Sequence, residues 1–198
     1  MHTKGNHPLE HVQTQDLPVM VRVYFEFSQL KQLYRQGWLR RGVPPDRCES
    51  VAEHSFGVAV LALFLADAYR PDLDRDKLLR IALLHDFGEI YAGDLVPADA
   101  IDPAEKHRRE AQSINQVFAN LANGPAYVAA WQEYEAGESA EARLIRQIDR
   151  LEMALQASVY QHQNLVDPSE FFASAEQALS DAPELLDLVE QLRDLKRP

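Results

Sequence analysis

Leu78-Leu79-Arg80-Ile81-Ala82-Leu83-Leu84-His85-Asp86-Phe87-Gly88-Glu89-Ile90-Tyr91-Ala92-Gly93 places a histidine and an aspartate inside an otherwise apolar run. The spacing of its leucines and isoleucines predicts a helix that starts at Asp74 or Asp76 and runs to Gly93. The flanking segments read the same way. Ser50 with Glu53 is a capping-box pattern opening a buried helix over 50–69, whose apolar face includes Val58, Leu61, Phe64 and Leu65. From about Met20 the pattern is helical, with Gly37 expected to stop it and Arg40–Arg47 expected to loop. A polar-rich helix is expected from about Ala104 to Leu121, then a short one containing Trp131. A further helix starts at Ser139 and runs through Leu144–Gln161, and two more pieces begin near Pro168 and Pro183. No period-two run or hairpin signal appears. The expected fold class is all-α: a single helical bundle over 19–198, preceded by a flexible arm over 1–18.

Composition narrows the function. The chain has 198 residues, 46% hydrophobic and 26% charged, which suits one globular domain with a sizeable core. Its formal net charge of −11 argues against a nucleic-acid polymer or an anionic membrane as partner. A small phosphorylated ligand stays compatible, because a local site can be positive. One cysteine, Cys48, suits a reducing cytoplasm. No apolar signal core opens the chain, and no stretch reads as long and apolar enough to span a bilayer. His2, His7 and His11 fall in the polar arm.

A pair as polar as His85-Asp86 in so apolar a setting must be satisfied or it costs stability. Metal coordination is one solution. Imidazole nitrogen with carboxylate oxygen suits Mn, Co, Fe, Zn or Mg. Further ligands would come from other helices, and His54 and Asp149 have the same placement in apolar helical segments. Taken singly, each has a plainer reading: a core histidine held by a hydrogen bond, or an aspartate on the wet face beside Gln147 and Arg150. No Gly-rich phosphate loop is present, which disfavours a P-loop enzyme.

The order His54, then His85-Asp86, then Asp149 resembles the HD-domain metal-dependent phosphohydrolase superfamily. Four strings are similar to the YfbR-like and human-type HD-domain 5′-deoxynucleotidases: EHSFGVAVLALFLADAY, LLHDFGEIYAGDLVPADAI, EKHRREAQ and SAEARLIRQIDRLEMALQASVYQ. The likeness runs from about Phe25 to Gln163. It implies a single HD-domain bundle and one divalent metal held by His54, His85, Asp86 and Asp149. It also implies Glu89 as the group that handles protons, and Asp94 as a contact to the nucleotide or a water. Arg35 would clamp phosphate, and Trp38 would close the space beside the sugar and disfavour a 2′-hydroxyl. Lys106, and with it Arg109, would stand near the substrate. The implied activity is hydrolysis of deoxynucleoside 5′-monophosphates to deoxynucleosides and phosphate, with a homodimer as a further expectation. The rivals are hydrolysis of a guanosine polyphosphate or a cyclic nucleotide, a non-catalytic nucleotide-binding module, and a plain helical bundle.

Overall fold

The computed structural model describes residues 1–13 and 16–195. The chain folds into α1 (Val19–Phe27), α2 (Gln36–Arg40), α3 (Val51–Tyr69), α4 (Arg75–Leu84), α5 (Glu89–Ala92), α6 (Pro103–Phe118), α7 (Gly124–Ala136), α8 (Ala140–His162), α9 (Ser169–Ala178) and α10 (Pro183–Arg193), with short 3₁₀ turns between some of them. The extended pairing among the described residues is confined to two isolated bridges, Thr3 with Leu33 and Tyr34 with Ser50. The all-α class therefore stands.

The contacts divide the chain into two compact units, Met1–Phe56 with Leu83–Gln132, and Gly57–Ala82 with Glu133–Pro198. Their boundaries fall within the residue ranges of α3, α4 and α7, so no linker marks them in the sequence.

In the first unit, Leu30, Leu33, Val51, Ile90, Ile114, Val117, Phe118 and Trp131 form the core. Each large aliphatic side chain buried there contributes about 1.5–3 kcal/mol. A line of rings runs through it: Phe27 to Phe87 at 6.3 Å, Phe87 to Phe118 at 5.6 Å and Phe118 to Tyr127 at 5.1 Å between centroids. Phe87 thus pins the turn that carries His85 and Asp86. The capping box is formed: the Ser50 N–H and hydroxyl donate to Glu53 Oε2 at 2.6 and 2.7 Å, and the Glu53 N–H donates to Ser50 Oγ at 3.3 Å. The described part of the arm lies along this unit. The Lys4 N–H donates to the Gln32 carbonyl at 2.7 Å, and Pro8–His11 make a 3₁₀ turn.

In the second unit, α8 packs against α9 and α10. Ile145, Ile148, Leu151 and Ala154 bury one of its faces. Gly57 permits a close approach, because a Cβ there would lie 2.8 Å from Glu152 Oε1.

Three expectations are corrected. The helix read from Asp74 or Asp76 to Gly93 stops at Leu84; a turn follows, and a short helix resumes at Glu89. The break is invisible to periodicity because Phe87 and Ile90 continue the apolar pattern. Gly37 does not end a helix but lies within α2, while the first helix ends at Phe27. Finally, Val51–Tyr69 does have the length and mean hydropathy, 1.5, of a bilayer-crossing segment, with 44% of that window buried inside the protein. Its two acidic residues, Glu53 and Asp67, sit towards the ends and leave a long uncharged middle.

Candidate active site

Local structure sets out the site residues in order. His54 occupies the first turn of α3, which the Ser50–Glu53 box fixes, and its N–H donates to the Ser50 carbonyl at 3.1 Å. His85 and Asp86 follow the end of α4 directly. The turn is closed by the Phe87 N–H donating to Leu84 and the Glu89 N–H donating to Asp86, both at 3.0 Å. Glu89 opens α5. Gly93, at φ 82°, stops α5 in a conformation that favours glycine and sends Asp94 back inward. A Cβ on Gly88 would come within 2.8 Å of Glu110 Cβ, so glycine is what lets α5 and α6 touch.

These side chains converge within the first unit. Asp86 Oδ2 lies 3.3 Å from His85 Nε2 and 3.7 Å from His54 Nε2. The two imidazole rings meet edge to face at 5.5 Å, and each ring offers a ligating nitrogen within 4.8 Å of the other's. Arg35 Nη1 faces three carboxylates: Asp94 at 3.1 Å, Asp86 at 3.7 Å and Glu89 at 4.0 Å. His54 and His85 are almost wholly enclosed, and Glu89 and Asp94 are each only 5% exposed.

The electrostatics follow from that crowding. Burial alone would raise the Asp86 carboxyl, but His85, Arg35 and His54 outweigh it and hold the group well below the usual carboxylate range. Glu89 goes the other way. Burial first, then the charges of Asp86 and Asp94, push it well above the ordinary value against the pull of Arg35. Two neighbouring carboxylates are thereby shifted in opposite directions, the pattern that separates an ionised ligand from a proton donor.

The donor set fits a divalent cation. Buried Asp86 Oδ2 accepts no hydrogen bond among the described residues, and the same holds for Glu89 Oε2. Nitrogen and oxygen donors sharing an ion at about 2.1 Å stand roughly 3.0–3.5 Å apart, close to the spacing around Asp86. Asp149 belongs to the second unit. It lies on α8, 8% exposed, and accepts from the Tyr134 hydroxyl at 3.3 Å. It is therefore a buried residue and not a wet-face aspartate.

Lys106, on α6, reaches Glu110 at 3.5 Å. Burial would lower its ammonium, but Glu110, Glu89 and Asp86 outweigh this and raise it. Arg109 pairs with Glu105 at 2.6 Å. Trp38 is fully buried and donates its indole N–H to Glu49 Oε1 at 2.7 Å. Sequence reading passed over Gln36, Glu49 and Glu110. For Gln36 the one local sign is a polar side chain between Arg35 and the core tryptophan.

The chain belongs to the HD-domain family, whose model matches residues 27–186. Among curated proteins it is 41% identical over 136 residues to human 5′-deoxynucleotidase HDDC2, covering 68% of this chain and 64% of that one. It is 37% identical over 168 residues to the bovine 5′-deoxynucleotidase HDDC2, covering 83% and 80%. Among solved structures it is similar to a conserved hypothetical protein from Pyrococcus furiosus, with a TM-score of 0.75 and 31% identity over 88% of this chain and 99% of that one. It is also similar to a predicted metal-dependent phosphohydrolase from Magnetospirillum magnetotacticum MS-1, with a TM-score of 0.63 and 28% identity over 89% and 94%.

Proposed function

We propose that this protein is a metal-dependent 5′-deoxynucleotidase that releases phosphate from deoxynucleoside 5′-monophosphates. The observation that carries this is the meeting of His54, His85 and Asp86 around one carboxylate oxygen, with Arg35 beside them. Relatives that bear the 5′-deoxynucleotidase name over most of the chain support it.

In this reading His54, His85, Asp86 and Asp149 hold the metal, one of Mn, Co, Mg, Fe or Zn. When bound, a divalent ion supplies charge neutralisation at the phosphoryl group and acidifies water. Arg35 takes a share of the phosphate charge through its fork of N–H donors. Asp94 anchors Arg35 and orients the nucleotide. Glu89, its carboxyl raised by burial and by Asp86 and Asp94, delivers the proton to the departing 5′ oxygen. Lys106 stands at the edge of the same group of charges. Trp38 closes the space beside the sugar by its bulk and disfavours a 2′-hydroxyl.

A substrate panel tests this. With each divalent ion in turn, inorganic phosphate should appear from deoxynucleoside monophosphates faster than from ribonucleoside monophosphates. Turnover of cyclic nucleotides or guanosine polyphosphates alone would replace this reading with another.

A further inference from the structure

The first residues of the chain reach the Arg35–Asp94 pair through Gln36. This side chain is 4% exposed, and every polar group on it is used. Its Oε1 accepts the His2 N–H at 2.9 Å, while its Nε2 donates to the His2 carbonyl at 2.7 Å and to the Tyr34 carbonyl at 2.9 Å. The side chain thus pairs with the backbone of residue 2 in both directions. The Gln36 backbone N–H meanwhile donates to Asp94 Oδ2, and Arg35 Nη1 donates to Asp94 Oδ1 at 3.1 Å. One residue therefore joins the first segment of the chain to the carboxylate that anchors the phosphate-facing arginine.

Further contacts keep that segment in place. Thr3 bridges Leu33, and Lys4 pairs with Glu53 at 3.3 Å. Met1 packs against Gly93 so closely that a Cβ on Gly93 would lie 2.7 Å from the Met1 methyl carbon. Gly93 directly precedes Asp94, so the segment touches the peptide on each side of the Arg35–Asp94 pair: Met1 at residue 93 and His2 at residue 36.

We propose that Gln36 is a positioning residue for the Arg35–Asp94 pair and that Met1–Lys4 is the strap that holds it. The proposal rests on the functional reading above for its kinetic consequence, not for its geometry. Removing the strap leaves a buried amide with lost partners. Such a group turns to find water or new partners, and its backbone N–H moves with it. Misplacement of about 1 Å in a positioned group costs up to about 10²-fold in rate.

The test uses the full chain, a variant lacking residues 2–6, Gln36→Ala, and the two changes combined. The expected result is a KM for the deoxynucleotide raised by about tenfold in each single variant, with kcat changed far less. The combined variant should be no worse than either, because both changes break the same link. Backbone hydrogen exchange at Gln36 should quicken by at least about tenfold on strap removal, while metal content and melting stay near those of the parent. If the shortened chain does not fold, Gln36→Ala decides alone. Unchanged KM and unchanged exchange, or additive losses, overturn the strap. Absence of turnover in the intact chain sinks the nucleotidase reading instead, and the exchange measurement still judges the strap.

Discussion

Arg35 Nη1 stands 3.1 Å from Asp94 Oδ1 while lying within 4.0 Å of both Asp86 and Glu89, so one guanidinium serves three carboxylates. These are the same donors that the proposed function assigns to the substrate phosphate.

Arg35→Ala should lower kcat/KM by about 10²–10³-fold, since it removes a charged clamp made to the reacting group. Arg35→Lys should recover only part of the loss, because a single ammonium cannot reproduce the guanidinium fork. Steady-state phosphate release measures both. Full recovery by lysine would show that Arg35 serves only as a point charge.

Glu89→Gln separates stability from activity. In metal-free protein the raised Glu89 carboxyl keeps its proton above the pH at which the unfolded chain has lost it. Stability from this group is therefore complete below the ordinary carboxylate pKa and declines as pH rises towards the raised value. The glutamine variant lacks that decline. Its melting temperature relative to the parent should rise between pH 5 and pH 8 (on the order of a few degrees), while turnover falls by about 10²–10⁴-fold. A melting difference that is the same at both pH values would show that Glu89 is not held protonated.

Gly88→Ala tests the contact that sets Glu89 beside α6. Its new Cβ would meet Glu110 Cβ at 2.8 Å and Glu110 Cα at 3.2 Å. Overpacking of this kind costs about 1–3 kcal/mol. A drop of roughly 2–10 °C in melting temperature is expected for a chain of this length, read by calorimetry. No change would mean that α5 and α6 separate easily.

Much of this was legible beforehand, for physical reasons. Ser50 and Glu53 signal a helix start through local hydrogen bonds, and the box forms as read. His54, His85 and Asp86 stood out because a polar group in an apolar run demands a partner. The break after Leu84 was not legible, because Phe87 and Ile90 keep the apolar spacing while the backbone turns. Gln36 was invisible because its partner is the backbone of residue 2, a tertiary pairing that leaves no periodic trace.

The most direct measurement is metal content and phosphate release on the same samples of the parent and Asp86→Ala, after chelation and reloading with manganese. The account predicts about one ion per chain and deoxynucleoside-monophosphate hydrolysis in the parent, with both lost in the variant. A variant that keeps its full metal complement and its turnover would contradict it.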